Sequence, residues 1–256
     1  MKIVTFNCNS VRSRLEAVLR WLSEHSPDIL CLQETKVQDA EFPAAAFADA
    51  GWHVVFKGEK SYNGVAIVSK QPADEVSFGL DTDPKDEPRL AHARFGRVHV
   101  LNTYVPQGRD IEHPMYAYKL EWFARFKRYV TKRFEPSEPV LWCGDLNVAR
   151  HPIDVSSPET KKNHVCYHQA VRDAFEEVLA FGFTDLFRHH NPGREDYSFY
   201  DYRAPFNPER KRGWRIDYIL ATAPLAKKSV AAAIDIAPRT RPKPSDHCPL
   251  VAEIEA

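Results

Sequence analysis

Pro139-Val140-Leu141-Trp142-Cys143-Gly144-Asp145-Leu146-Asn147 is an apolar run that breaks abruptly into a carboxylate and an amide. Its length and β-branched, aromatic content predict a strand buried on both faces. If the strand continues, Asp145 and Asn147 flank Leu146 and project to one side. A carboxylate and an amide on one face can orient a water and hold a phosphate. The alternative is an Asx turn, a common use of Asp and Asn. The same design occurs earlier in Asp28-Ile29-Leu30-Cys31-Leu32-Gln33-Glu34-Thr35-Lys36. The echo fits two similar halves, or simply two buried strands with functional ends.

Similar short runs recur through the chain: KIVTF (2–6), HVVF (53–56), GVAIVS (64–69), VHVLNTY (98–104), RIDYIL (215–220) and PLVAEI (249–254). Helical spacing shows in Val11, Leu15, Val18 and Leu22; in Met115, Tyr118, Trp122, Phe126, Tyr129 and Val130; and in Val171, Phe175, Val178 and Leu179. Strands outnumber helices in a mixed order. Two packed sheets with helices outside, an α/β (α+β) arrangement in one domain over residues 1–256, fit best. DTDPKDEPR (81–89) and APRTRPKPSDH (237–247) read as loops.

At 43% hydrophobic and 12% aromatic residues the chain can bury a large core, which excludes a disordered protein. The formal net charge of zero argues at first against nucleic acid. Site carboxylates that cancel basic residues elsewhere weaken the objection. Cys8, Cys31, Cys143, Cys166 and Cys248 form no CxxC pair and are odd in number, so they read as small buried hydrophobes in a reduced, cytoplasmic protein. No apolar run reaches membrane-span length and no signal peptide is visible, so no membrane role is expected.

Other strand ends carry chemistry too. Asn7 and Asn9 follow KIVTF, as phosphate-binding amides or as a turn. Glu34 emerges at the edge of a buried strand, where it is a hard-cation ligand or a surface carboxylate. Tyr104 ends VHVLNTY, at a site or in the rim. Asp217 lies inside an apolar strand and needs a partner. His247 in SDH offers one, since an Asp–His pair fixes a tautomer and stabilises the imidazolium; otherwise it is a structural histidine. No cysteine nucleophile in a Cys/His setting, G-x-S-x-G elbow or phosphate-cradling Gly loop is present. Metal-assisted hydrolysis is what remains.

TFNCNSVR (5–12), PDILCLQETK (27–36), YNGVAIVSK (62–70), LNTYVPQG (101–108), WCGDLNVA (142–149), GWRIDYIL (213–220) and SDHCPLV (245–251), in this order, resemble the exonuclease III family of apurinic/apyrimidinic (AP) endonucleases. That family lies within the endonuclease/exonuclease/phosphatase superfamily. The resemblance implies a deoxyribonuclease I-like four-layer α-β-β-α sandwich with the site at one rim. It implies a Mg²⁺ site, with Mn²⁺ as a substitute, drawing on Glu34, Asn9, Asp145, Asn147 and Asp246. It implies catalytic roles for Asn7, Tyr104, Asp145, Asn147, Asp217 and His247. Substrate contacts would come from Arg12, Lys36, Tyr62, Asn63 and Gln107, with an abasic-sugar pocket of Phe199, Trp214 and Ile216; core packing is the other reading of those aromatics. The implied activity is a DNA repair hydrolase that cuts the backbone 5′ to abasic sites in double-stranded DNA, with 3′–5′ exonuclease and 3′-phosphodiesterase activity on blocked 3′ ends, working as a monomer.

The chain departs from the family pattern in places. Ser10 and Gln107 stand where many members have other residues. Asn9 replaces an acidic residue of some relatives, which shifts weight to Glu34. The stretch KKNHVCYHQ (161–169) brings His164 and His168, which would touch DNA or sit in a solvated loop. Backbone grip is expected from Arg125 to Arg133, Arg203 to Arg215 and Arg239 to Lys243. Zero net charge predicts few phosphate contacts and a shallow salt dependence, at about −0.9 in log–log slope per phosphate. Two other functions fit the same residues. One is a phosphoinositide or sphingomyelin phosphohydrolase, opposed by Trp214 and the lack of membrane-directed segments. The other is a non-catalytic DNA-damage binder, opposed by the intact Glu34, Asp145, Asp217, Asp246 and His247.

Overall fold

A computed structural model describes residues 1–203, 206, 207, 209 and 212–255. The early run KIVTF becomes β1 (Lys2–Asn7), and DILCLQ becomes β2 (Ile29–Gln33), paired in parallel. β3 (His53–Lys57) and β4 (Val65–Ser69) extend that sheet. β5 (Glu75–Phe78), β6 (Leu90–Phe95), β7 (Val98–Tyr104) and β8 (Val140–Asp145) start a second sheet. β9 (Thr184–Asp185) and β10 (Asp217–Ala221) finish it, while β11 (Ser229–Ile234) and β12 (Leu250–Ile254) return to the first.

The two six-stranded sheets have orders β11-β12-β1-β2-β4-β3 and β5-β6-β7-β8-β10-β9. Position by position they repeat one pattern: a single parallel pair, β1–β2 or β7–β8, with antiparallel neighbours on each side. The two-halves reading therefore holds at the level of topology. The parallel pairs end at Asn7–Gln33 and at Tyr104–Asp145, so each half delivers two strand ends to the rim.

The apolar runs are continuous because both faces of each central strand are covered. Ile3, Ile29, Cys31, Leu141, Cys143 and Ile219 fill the space between the sheets. Val4, Phe6, Leu30 and Leu32 pack outward on α1 (Val11–His25) and α2 (Ala44–Asp49). Leu101, Val140 and Trp142 pack on α3 (Pro114–Arg133) and α4 (Gln169–Leu179). The result is the expected four-layer α-β-β-α sandwich. All five cysteines are buried and free. No helix among the described residues is long and apolar enough to cross a membrane.

Sequence patterns miss the two-residue β9 as well as β5, β6 and β11. β5 is a half-exposed edge, β6 carries His92 and Arg94, and β11 is rich in alanine, a poor strand former. The buried face of α3 also differs from the expected one. It starts at Tyr116 and Lys119 rather than Met115 and Tyr118, and it includes Arg125.

Candidate active site at the joined strand ends

The site is assembled from both sheets. Asn7, at the end of β1, is fully buried. Its Nδ2 donates to Glu34 Oε1 at 2.8 Å and to Asp145 Oδ2 at 2.9 Å. One amide thus ties together a carboxylate from each sheet. Glu34 follows β2 with φ 49°, turned out of the strand. Its Oε2 meets Lys36 Nζ at 2.6 Å. Burial raises the Glu34 pKa, but the Lys36 charge, its hydrogen bond and the Asn7 amide outweigh that, so Glu34 remains a carboxylate.

Gly144 (φ 145°) makes room for the second parallel pair: a Cβ there would stand 1.9 Å from Thr103 O. Tyr104 is therefore level with Asp145. Burial, then the charges of Glu34 and Asp145, raise the Tyr104 hydroxyl pKa well above its ordinary value, against Arg89. It stays a neutral donor.

The strand does not continue to Asn147. β8 ends at Asp145, and Asn147 adopts φ 51°. Asp145 Oδ1 accepts the Asn147 backbone N–H at 3.0 Å, the Asx-type turn that is the alternative to a continuing strand. The turn and the site coexist, because Asp145 Oδ2 stays on the site side with Asn7. Asn147 Nδ2 donates to Val105 O at 3.0 Å, and its Oδ1 faces Cys166 Sγ at 3.9 Å.

Asp217 and His247 pair as their chemistry suggests, Nδ1 to Oδ2 at 2.8 Å, with Nε2 3.8 Å from Asp145 Oδ2. Burial disfavours the imidazolium, yet Asp217 and Asp145 together raise its pKa to about 10. Burial in turn pushes Asp145 up to about 7, opposed by His247 and reinforced by Asp217 and Glu34. The pair is an imidazolium held between two carboxylates.

Asn9 lies just outside this core. Its Nδ2 donates to Asp246 Oδ1 at 2.9 Å and its Oδ1 accepts from Lys36 Nζ at 2.6 Å. A neutral amide here has become a link between Lys36 and Asp246. Glu34, Asp145 and His247 offer ligand atoms all within 4.8 Å of one another. His247 is protonated and tied to Asp217, so it is a poor metal ligand. The carboxylate oxygens suit a hard divalent cation that keeps most of its waters. A cation already favours the spot: the Lys36 ammonium sits on Glu34 Oε2 and Asn9 Oδ1.

A cleft of about 320 Å³ opens over these groups, lined among others by Glu34, Tyr104, Gln107, Asp145, Asn147, Asp246 and His247. Its apolar wall is Phe199, Trp214 and Ile216. Phe199 bridges Trp214 on one side and His247 on the other. His164 also enters, its ring 4.3 Å from Trp214. His168 stays outside, bonded to Tyr116 OH at 2.8 Å.

Several expected contacts lie away from the cleft. Arg12 pairs with Glu41 on the surface at 2.8 Å. Tyr62 is 70% exposed, and Asn63 turns its amide to Glu59 while its carbonyl accepts the Lys36 N–H. The basic clusters need correction. Arg125 and Arg133 are bound to Asp86 and Asp81, and the C-terminal end of α3 leads toward Val140, the strand end opposite the site. Arg215 and Arg239 are buried within the fold, and Arg241 pairs with Glu24. Arg210 and Lys211 of the second cluster lie outside the described residues. Arg203 and Lys161 do line the cleft.

Lys119 was not singled out from the sequence. Fully buried, it donates to the carbonyls of Gln107, Asn147 and Val165 at 3.1, 2.6 and 2.8 Å, stapling three rim loops together. A lysine on the apolar stripe of α3 was the available signal.

The family model described as "Endonuclease/Exonuclease/phosphatase family" matches residues 4–247. The chain is 32% identical to exodeoxyribonuclease III of Haemophilus influenzae, over 100% of both chains. An AP endonuclease structure from Archaeoglobus fulgidus superposes with TM-score 0.99 and 52% identity, over 100% of both chains. The 3′ phosphatase NExo from Neisseria, bound to product DNA hairpin, gives TM-score 0.94 and 37% identity, again over 100% of both. The chain thus belongs to the endonuclease/exonuclease/phosphatase family, within its exonuclease III group of AP endonucleases.

Proposed function

We propose that this protein is a Mg²⁺-dependent DNA repair hydrolase that incises duplex DNA 5′ to abasic sites and trims blocked 3′ ends by 3′–5′ exonuclease and 3′-phosphodiesterase activity. The carrying observation is the Asn7 amide that joins Glu34 to Asp145 beside the Asp217–His247 pair, under an apolar wall of Phe199, Trp214 and Ile216. Hydrolysis needs an in-line water and neutralisation of charge on the phosphorus oxygens. Asp145 orients the water and takes its proton, its burial making it a stronger proton acceptor than an exposed carboxylate. His247 donates Nε2–H to a phosphate oxygen, its charge maintained by Asp217. Asn7 and Asn147 position Asp145 and the phosphate, and the neutral Tyr104 hydroxyl faces the leaving oxygen. Glu34, with Asp145 and Asp246 nearby, would hold the metal, which when bound supplies Lewis-acid neutralisation of the phosphate. The apolar wall suits a flipped sugar that has no base. The same reading takes residues 1–256 as one catalytic domain, monomeric and cytoplasmic.

A duplex carrying one tetrahydrofuran abasic analogue, incubated with Mg²⁺, tests this. We expect a single nick 5′ to the lesion that EDTA abolishes and added Mg²⁺ restores. No nick, or a nick insensitive to EDTA, overturns the proposal. Side-by-side incubation with phosphoinositide and sphingomyelin separates the lipid-directed alternative.

His164 favours a second emphasis within this function. Its ring against Trp214 narrows the pocket meant for the sugar. Burial lowers its pKa to about 4, so at neutral pH it is an uncharged wedge rather than a phosphate ligand. His164→Ala should raise abasic incision relative to 3′ trimming by about 5-fold, the worth of roughly one aromatic contact. Parallel assays on abasic and 3′-recessed duplexes check this; an unchanged ratio removes His164 from substrate choice.

A further inference from the structure

The site draws Asn7 and Glu34 from one sheet and Tyr104 and Asp145 from the other, yet most of what joins the sheets is apolar. Apolar packing is non-directional and sets separation better than it sets lateral register. A polar bridge crosses this interior. Asn102 of β7 is fully buried, and its Nδ2 donates to Leu32 O and Ala66 O in the opposite sheet, each at 2.9 Å. Its Oδ1 accepts from Gln33 Nε2 at 2.7 Å, and the same Nε2 reaches Thr5 Oγ1 at 2.9 Å. Every bond Asn102 makes through its side chain thus lands on the other sheet.

The bridge sits directly behind the chemistry. Thr5 is two residues before Asn7, Gln33 one before Glu34, and Asn102 two before Tyr104, itself level with Asp145. A buried directional network of this kind has one satisfied geometry, and a slide of one sheet over the other breaks it. We infer that Asn102 and Gln33 are positioning residues that fix the register between the two sheets, and so hold the Asn7–Glu34 half of the site in place against the Tyr104–Asp145 half. The inference rests on the proposed hydrolase function.

The near-isosteric double variant Gln33→Met/Asn102→Leu tests it. Replacing both removes the Gln33–Asn102 bond without orphaning either side chain, and what loses a donor is Thr5 Oγ1 and three backbone carbonyls, so the fold should survive at some cost in stability. We expect a protein that is folded at the assay temperature though it melts lower, KM within about 2-fold, and kcat lower by about 10- to 100-fold, the scale on which small misplacements of reacting groups act. Unchanged kcat overturns the inference, and so does a fall in kcat matched by a rise in KM. If the double variant does not fold, Gln33→Met alone decides, because it leaves the Asn102 bonds to both carbonyls. Lower kcat at near-normal KM, measured well below the variant's own melting temperature, supports the inference, and unchanged kcat overturns it. Each variant is assayed on abasic and on 3′-recessed duplexes. If the unaltered protein trims the 3′ end but leaves the abasic duplex whole, the abasic assignment fails while the positioning inference is still tested.

Discussion

Asp145→Asn is expected to lose about 10²- to 10⁴-fold in kcat on abasic duplex, the usual worth of a positioned proton acceptor, while its affinity for that duplex changes little. The substitution is nearly isosteric. An oxygen remains to accept the Asn147 N–H, and the fold of the rim should persist. What disappears is the group that can take a proton from water, together with one of the two carboxylates that hold His247 as an imidazolium. The remaining partner, Asp217 at 2.8 Å, keeps that ring oriented, so binding should survive better than turnover. The new amide relieves repulsion with Glu34 and Asp217, but its NH₂ group faces the Asn7 amide that donated to the lost oxygen, so the two effects offset and the melting temperature should shift by only about a few degrees. Single-turnover incision, fluorescence anisotropy and thermal melting separate these three effects. Near-normal turnover removes Asp145 from the proton-accepting role.

The strand ends that carry this chemistry were legible because a fully buried strand must shed its apolar character abruptly where it meets the site. KIVTF-N, DILCLQ-E and VLWCG-D all show that break. The pairing of Asp217 with His247 was also foreseeable, since a carboxylate inside RIDYIL has to find a partner. Turn geometry was less legible. Asp145-Leu146-Asn147 reads equally as alternation or as a turn, and only the positive φ at Asn147 decides it. Arginines misled most, because a one-dimensional run of basic residues does not say which of them meet carboxylates. Arg125, Arg215 and Arg239 look like phosphate contacts in sequence but are consumed inside the fold. The staple at Lys119 and the bridge at Asn102 were missed for a related reason. Most of their partners are backbone carbonyls, which side-chain patterns do not reveal.

The arginine misreading leads to the second large effect. Asp154 is fully buried between two guanidiniums, bonded to Arg215 Nε at 2.8 Å and Nη2 at 3.1 Å and to Arg188 Nε at 3.1 Å. Arg215 also meets Asp185 at 2.8 Å and lies over the Tyr218 ring. Removing one charge from such a cluster leaves buried guanidinium charge undercompensated, so Asp154→Asn should destabilise the protein by about 3–5 kcal/mol. For a chain of this size that lowers the melting temperature by on the order of 10 °C. Burial raises the Asp154 pKa, but Arg215 and Arg188 overcome it and hold the carboxyl at about 2, below its ordinary 3.8. Because the folded value is the lower one, this stabilisation is complete above about pH 4 and is lost as pH falls toward 2. The stability gap between the two proteins should therefore be flat from neutral pH down to about 5 and narrow only below about 4. A gap that narrows near neutrality would point to another group. The functional stake is the segment that Asp154 anchors: its carbonyl accepts the Arg215 N–H at 2.7 Å, between Trp214 and Ile216 of the apolar wall and next to Asp217. Loss of the cluster should therefore loosen pocket and catalytic pair together, and incision measured well below the new melting temperature should still fall.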